Sequence, residues 1–165
     1  RLPQTAIGIA LSFKMVRKIK SKGFFCCQAD GEYLPIQNDT FDTVIGSEMV
    51  YYLDEPERFL DEAYRVLRPG GRLLLSSFNN SMRIYDHFRH LLRNVGIKGM
   101  YFDDGVKKFL TEGQVRKFVT VAGFREIEIR KIVILPWMVM DPLNSILEKT
   151  WLRHLGLFIL MSARK

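Results

Sequence analysis

The sequence predicts an α/β fold in which a mostly parallel sheet carries helices on both faces. Three observations predict it. Short apolar runs, each typical of a buried strand, recur at residues 6–11, 24–29 and 41–46. Amphipathic segments of helical period alternate with them, and a Pro-Gly-Gly turn at 69–71 leads into another apolar run at 72–77. Such alternation is typical of parallel sheets, whose ligands bind beyond the carboxyl ends of the strands.

The first predicted helix follows the first strand. Ser12 is placed to cap it, and Gly23 ends it. Its apolar face is formed by Met15, Val16 and Ile19. The second strand follows directly, and a turn at Asn38-Asp39 separates that strand from the third.

The second helix begins at Pro56, because proline suits a first helical turn, where its missing N–H is not needed. The Pro-Gly-Gly turn stops this helix. Its apolar stripe is formed by Phe59, Leu60, Ala63, Val66 and Leu67.

Residues 79–110 break the alternation, and we interpret them as an inserted cap that is rich in arginine and histidine. After it, a helix begins at Thr111, with Gln114 placed for a capping box and Gly123 at its carboxyl end. The remaining predicted elements are a strand at 124–135, a short helix at 144–152 and a last strand at 156–163.

Length and charge limit the class of protein. The 165 residues suffice for one domain with a sizeable core, and 47% hydrophobic with 26% charged residues is ordinary for a globular protein. The net charge of +7 favours anionic partners, or reflects only a basic surface. A nucleic-acid-binding domain is disfavoured because basic residues and aromatics are not interleaved beyond the cap.

Cysteine use and hydropathy indicate the compartment. The two cysteines, Cys26 and Cys27, are adjacent, and neighbours on a strand point to opposite faces, which disfavours a disulfide between them. We therefore expect a reduced, cytoplasmic protein. No signal peptide is visible, and the apolar stretch 132–140 is too short to span a bilayer. No spacing of cysteine, histidine or carboxylate residues indicates a metal site.

The block 30–77 resembles the core of the class I S-adenosylmethionine-dependent methyltransferases of the small-molecule type. It contains the loop Asp30-Gly31-Glu32-Tyr33-Leu34-Pro35 and the strand Phe41-Asp42-Thr43-Val44. A helix and turn of the family pattern run from Pro56 to Gly71. The resemblance implies a Rossmann-like methyltransferase sheet, S-adenosylmethionine as cofactor and methyl transfer to a small-molecule acceptor. It implies a single domain over residues 1–165, N-terminally incomplete.

The resemblance also implies the ligand contacts at two strand ends. Asp30, followed by Gly31 and Glu32, stands where a carboxylate accepts a hydrogen bond from the adenine amino group. Ser47 and Glu48 follow the third strand, where the family contacts the methionine part of the cofactor or the acceptor. Alternatives stay open: Asp30 could order its loop, and Glu48 could be a solvated carboxylate.

Substrate contacts are expected next to this lip. The family places aromatic or histidine residues near the transferred methyl, here Tyr51 and Tyr52, although a packing role fits both equally. The arginines of the cap, such as Arg83, indicate an acidic acceptor. No catalytic residue is predicted, because methyl transfer depends mainly on positioning the acceptor and excluding water.

Two departures from the family pattern concern the cofactor site. The family has a strand and a glycine-rich loop before the position of Gly8, and none is found here. The position of Ala10 should carry an acid for the ribose hydroxyls. Without that strand, the strands at 6–11 and 41–46 would face each other with unpaired backbone groups along their edges. We expect a fragment, a sheet that closes directly by pairing strands 6–11 and 41–46, or a homo-oligomer whose partner supplies the strand. The alternative function is a non-catalytic binding or assembly module.

Overall fold

The structure of the chain, a computed structural model, describes residues 6–80, 108–132 and 158–165. Its elements are β1 (Ile7–Ala10), α1 (Phe13–Lys20), β2 (Phe25–Gln28), β3 (Phe41–Ser47), a 3₁₀ turn (Val50–Tyr52), α2 (Pro56–Val66), β4 (Leu67–Phe78), α3 (Glu112–Val121), β5 (Arg125–Ile132) and β6 (Phe158–Arg164). The predicted helix 144–152 lies outside the described residues. None of the described helices is long and apolar enough to cross a membrane.

The described strands form two sheets. β1 and β2 pair in parallel, and the larger sheet has the order β3-β4-β6-β5. In it β3 runs parallel to β4, while β6 runs antiparallel to both of its neighbours. Three of its four strands therefore share one direction, which confirms the mostly parallel prediction. Direct pairing of β1 with β3 is not observed among these strands, because the two lie in different sheets.

One hydrophobic core joins α2 and α3 to a single face of the larger sheet. The whole predicted stripe is buried, and Phe59, Leu60, Ala63 and Leu67 share one cluster with Leu73 and Leu75 of β4 and with Ile159, Met161 and Ala163 of β6. Val115 and Val119 of α3 complete this cluster. Fully burying each large aliphatic side chain contributes about 1.5–3 kcal/mol to folding. This layer is therefore the larger of the two buried apolar clusters in the described part.

The predicted helix caps are present. The Ser12 side chain accepts a hydrogen bond from the Met15 N–H, and Thr111 forms a capping box with Gln114. The predicted apolar face of α1 is wrong at Met15, whose side chain is 56% exposed, while Val16 is buried. Met15 precedes Val16 by one residue, a rotation of about 100°, so it lies at the flank of the buried stripe rather than on it.

The Pro-Gly-Gly segment lies inside β4, since α2 ends at Val66 and β4 begins at Leu67. The register of β3 against β4 shifts between Phe41, which pairs with Leu67, and Thr43, which pairs with Arg72. Gly70 has φ +78°, in the left-handed region, and a Cβ on Gly71 would lie 2.8 Å from the Arg68 carbonyl oxygen. The predicted stop at 69–71 is therefore wrong in position, because α2 ends before it and the two glycines serve the irregular first part of β4 instead.

The predicted inserted cap is described only at its ends. Asn79 and Leu110 form an isolated parallel bridge, and the Asn80 N–H donates to the Leu110 carbonyl at 3.1 Å. The Lys108 N–H donates to the Tyr51 carbonyl at 3.2 Å. The ends of the segment therefore meet beside the 3₁₀ turn. Its interior, including Arg83, lies outside the described residues, and the domain boundaries stay a prediction.

The other face of the larger sheet carries an open groove of about 380 Å³. Ile45, Leu74 and Leu160 form its apolar floor, and Glu128 and Arg130 stand at its rim. Ile45 is 60% exposed and Leu160 is 40% exposed. α2 and α3 pack on the opposite face, so alternation along the strands separates a packed face from an exposed one.

Two valines of α3 test this account of the core. Val119 is fully buried and Val121 is 75% exposed. We expect Val119→Ala to lower the free energy of unfolding by about 2 kcal/mol, because it removes two buried methyl groups. Val121→Ala makes the same change to helix propensity on the same helix and should alter stability by less than about 0.5 kcal/mol. Equal effects in denaturant unfolding would contradict the assignment of the core face.

Candidate functional site

The loop after β2 is organised around Asp30. The Asp30 Oδ1 accepts a hydrogen bond from the Glu32 N–H at 2.9 Å, and the Asp30 carbonyl accepts from the Tyr33 N–H at 3.1 Å. These bonds close a tight turn at the carboxyl end of a parallel strand, the position where ligands bind in such sheets. Asp30 therefore orders its loop, which is the alternative to ligand contact that the sequence left open. Its second oxygen is not engaged by this turn, and ligand contact stays a prediction.

Glu32 points into the protein. It is 8% exposed, and its Oε1 accepts a hydrogen bond from the Glu55 N–H at 2.9 Å. Glu55 is the residue before α2, and its own side chain makes no capping bond. A carboxylate at a helix N-terminus is favourable, because the free N–H groups and the helix dipole are positive there. This role links the loop to α2, and the predicted cofactor contact of Glu32 stays a prediction.

The lip after β3 is held by β4. The Glu48 N–H donates both to the Ser76 carbonyl oxygen, at 3.2 Å, and to the Ser76 Oγ, at 3.0 Å. Ser47 Oγ lies 3.5 Å from Ser76 Oγ. Glu48 has φ +51°, a left-handed conformation that costs a residue with a side chain roughly 1 kcal/mol. The hydrogen bonds that the Glu48 N–H donates to the two Ser76 oxygens stabilise that conformation and fix the lip against β4.

Tyr51 is a buried hydrogen-bond donor at this lip. It is 3% exposed, its ring stacks on Phe78 at 4.4 Å and lies 4.5 Å from Tyr52, and its hydroxyl donates to Glu48 Oε2 at 3.2 Å. Burial, and then the negative charge of Glu48, raise the pKa of Tyr51 well above its usual value. Tyr51 therefore stays protonated and orients Glu48. The predicted packing role fits it, while substrate contact by Tyr51 and Tyr52 stays a prediction.

Met49 joins the loop to the lip. A Cβ placed on Gly31 would lie 3.2 Å from Met49 Cε and 3.5 Å from the Phe59 ring. A Cβ on Gly46 would lie 3.3 Å from Met49 Sδ and 3.2 Å from the same ring. Both glycines therefore allow a close approach, and the two predicted halves of the site meet over Met49 and Phe59. Nothing in the sequence pattern had singled out Met49.

Two residues of α2 that the sequence analysis left aside bind the loop backbone. Glu62 Oε2 accepts from the Leu34 N–H at 2.7 Å, and Arg65 donates to both Glu62 oxygens at 2.7 Å. Hydrogen bonding from Arg65 lowers the pKa of Glu62, and the same bond raises the pKa of Arg65. The periodicity of Arg58, Glu62 and Arg65, spaced for one helix face, is the signal that could have found them.

The predicted positions differ in whether their side chains could bind the cofactor. A polar carboxylate is available at the loop and another at the lip, but Ala10, at the end of β1, offers only a methyl group where hydroxyls would need an acceptor. Its carbonyl is already occupied by the Ala29 N–H at 3.3 Å. In the described ranges, no group of three or more His, Cys, Asp or Glu side chains could hold a metal ion.

A family profile described as a methyltransferase domain matches residues 1–75. A ubiquinone/menaquinone biosynthesis C-methyltransferase of Roseobacter denitrificans is 30% identical over 116 residues, 62% of this chain and 46% of that protein. A mitochondrial 2-methoxy-6-polyprenyl-1,4-benzoquinol methylase of Xenopus laevis is 30% identical over 127 residues, 69% of this chain and 41% of that protein. The chain thus spans less than half the length of these two relatives.

Solved structures share the fold. An S-adenosylmethionine-dependent methyltransferase of Thermotoga maritima superposes with a TM-score of 0.73 at 20% identity, over 96% of this chain and 72% of that one. One from Archaeoglobus fulgidus gives 0.69 at 18% identity, over 96% and 75%. At such identities the likeness concerns the fold, and it confirms the predicted fold class.

Tyr51 allows a test of the lip at high pH. Because its raised pKa favours the neutral phenol in the folded protein, its contribution to stability is complete below about pH 10, the pKa of a free tyrosine, and is lost above it. We expect the ultraviolet titration of the six tyrosines to contain a late component that Tyr51→Phe removes. If the wild-type and Tyr51→Phe titrations differ only in amplitude, with no late component in the wild type, Tyr51 is not a buried hydrogen-bond donor.

Glu62 allows a test at low pH. Its lowered pKa means that the bond to Arg65 contributes stability above about pH 4.3, the pKa of a free glutamate, and that this contribution is lost as the pH falls further. We expect the wild-type chain to lose more stability on acidification than Glu62→Gln, in urea unfolding at matched pH values. Parallel pH profiles for the two proteins would show that the pair is not formed.

Proposed function

We propose that the chain is a class I S-adenosylmethionine-dependent methyltransferase that binds this cofactor for methyl transfer to a small molecule, because a methyltransferase-domain profile matches residues 1–75 and solved methyltransferases share its fold. The observation that carries the proposal is the meeting of the Asp30 loop and the Ser47–Glu48 lip over Met49. Ligands of open α/β sheets bind at this edge.

The described residues suit the two ends of the cofactor. Asp30 would accept from the adenine amino group, with Gly31 allowing a close approach of the backbone. Ser47 and Glu48 would face the methionine end, where the carboxylate of Glu48 favours a cationic ammonium or sulfonium group. When bound, the sulfonium supplies the methyl group. The protein's part is to orient the acceptor and to exclude water. Ala10 leaves the ribose without the family's acceptor.

The acceptor is proposed to be a small molecule because two relatives carry the names of methylases in quinone biosynthesis. Tyr51 and Tyr52 would border it, and the arginines of the segment 79–110, such as Arg83, would favour an acidic acceptor. A cytoplasmic location is proposed on the two free cysteines, Cys26 and Cys27.

A second candidate function is a non-catalytic binding or assembly module. The separation of β1 from β3 and the methyl group of Ala10 favour it. A second copy, or another polypeptide, would pair its backbone with these edges, since exposed strand edges offer ready hydrogen-bond partners. A homo-oligomer that completes the sheet would combine both proposals.

Calorimetry with S-adenosylhomocysteine tests the first proposal. We expect micromolar binding, and a loss of about ten-fold or more for Asp30→Asn, because a hydrogen bond to a charged group contributes about 1.5–3 kcal/mol. Asp42→Asn is the matched control: Asp42 is an exposed carboxylate paired with Arg68 at the other end of β3, and its change should leave affinity unaltered. Equal losses for both variants would contradict the assignment of Asp30.

Sedimentation separates the two candidate functions. Absence of ligand binding together with a concentration-dependent oligomer would favour the assembly module. Binding by a monomer would favour the enzyme and would show that the described edge suffices for the cofactor.

A further inference from the structure

The loop 30–38, which crosses from β2 to β3 and carries Asp30, has no regular secondary structure. Several of its polar backbone groups are instead paired with side chains of α2. Both groups of Leu34 are engaged, since its N–H donates to Glu62 Oε2 at 2.7 Å and its carbonyl accepts from Arg65 Nη2 at 2.9 Å. A single loop residue is thus clamped from both sides by two side chains one turn apart on α2.

Arg65 extends this clamp along the loop. Its Nη1 donates to the Ile36 carbonyl at 2.6 Å and to Asn38 Oδ1 at 2.8 Å. The other edge of the guanidinium is held by Glu62, so the planar group has one orientation. The two side chains are 31% and 20% exposed, which places the pair between core and solvent rather than free in water.

A third side chain of the same helix face contacts the loop. Arg58 hydrogen-bonds the Tyr33 hydroxyl, and its guanidinium carbon lies 4.7 Å from the centre of the Tyr33 ring. Arg58, Glu62 and Arg65 are spaced i, i+4 and i+7, which places them on one side of α2. The opposite side of α2 is buried in the core. The loop is therefore attached to an element that cannot move without disrupting the core.

We propose that Glu62 and Arg65 are positioning residues, which hold the loop 30–38 in the conformation that presents Asp30 at the edge of the sheet. The ligand in this inference rests on the proposed function, whereas the contacts of Glu62 and Arg65 with the loop do not. A loop ordered before binding loses less conformational entropy when the ligand arrives. The lowered pKa of Glu62 and the raised pKa of Arg65 agree that both groups are charged in this arrangement.

The test compares Arg65→Lys with Arg68→Lys. Lysine keeps the charge but cannot bridge Leu34, Ile36 and Glu62 together. Arg68 is the matched control, because it donates to the Asp39 carbonyl and to the exposed Asp42, just beyond the loop. We expect amide hydrogen exchange at Leu34 to become at least about ten-fold faster in Arg65→Lys alone, with exchange in β4 and β6 unchanged.

Ligand binding gives the second readout. If the wild-type chain binds S-adenosylhomocysteine, Arg65→Lys should weaken binding of adenosine about as much as that of the whole ligand, while Arg68→Lys changes neither. If the wild-type chain binds nothing, the proposed function fails for this chain and exchange alone decides the clamp. Unchanged exchange at Leu34 in Arg65→Lys overturns the inference in either case. Should that variant fail to fold, Glu62→Gln replaces it with the same expectation at Leu34.

Discussion

Burial of one side of α2 against the larger sheet is the constraint on which the rest of the described structure depends. Its stripe reaches the core through Phe59, Leu60 and Ala63, each less than 5% exposed. At about 1.5–3 kcal/mol for each large side chain, this contact exceeds any hydrogen bond in the candidate site. The orientation of α2 about its own axis is therefore set by the core. Every polar group on its remaining surface takes its position from that packing.

The candidate site is assembled around this fixed helix. The first turn of α2 receives the carboxylate of Glu32, its middle presents the Phe59 ring to both Gly31 and Gly46, and its polar side clamps the loop through Glu62 and Arg65. The lip after β3 reaches the same place by a different route, through the bonds from the Glu48 N–H to Ser76. Packing, rather than a direct bond between Asp30 and Glu48, thus brings together two segments that are distant in sequence.

Local chemistry explains which features could be predicted from the sequence. Ser12, Thr111 and Pro56 act within a few residues of themselves, and the stripe of α2 follows from a period of 3.6. Long-range outcomes could not be predicted in this way. The antiparallel course of β6 depends on which edge of β4 is open, and the inward turn of Glu32 depends on where α2 begins in space. Alternation and spacing carry no information about either.

The smaller sheet carries the other part of the candidate site, at Ala10. β1 is tied to β2 through its own ladder and through the bond from the Ala29 N–H to the Ala10 carbonyl, whereas β3 is tied to β4. At the candidate site the two sheets are linked through the loop 30–38, which contacts α2 through Leu34 and approaches Met49 of the lip through Gly31. A ligand that touches both β1 and the lip would therefore transmit any strain through that loop. The hydrogen bonds at Leu34 therefore tie the loop that follows β2 to the helix that packs on the larger sheet. Under the proposed function, affinity for a ligand at this edge depends on the side chains of α2 that hold the loop as well as on the carboxylate of Asp30.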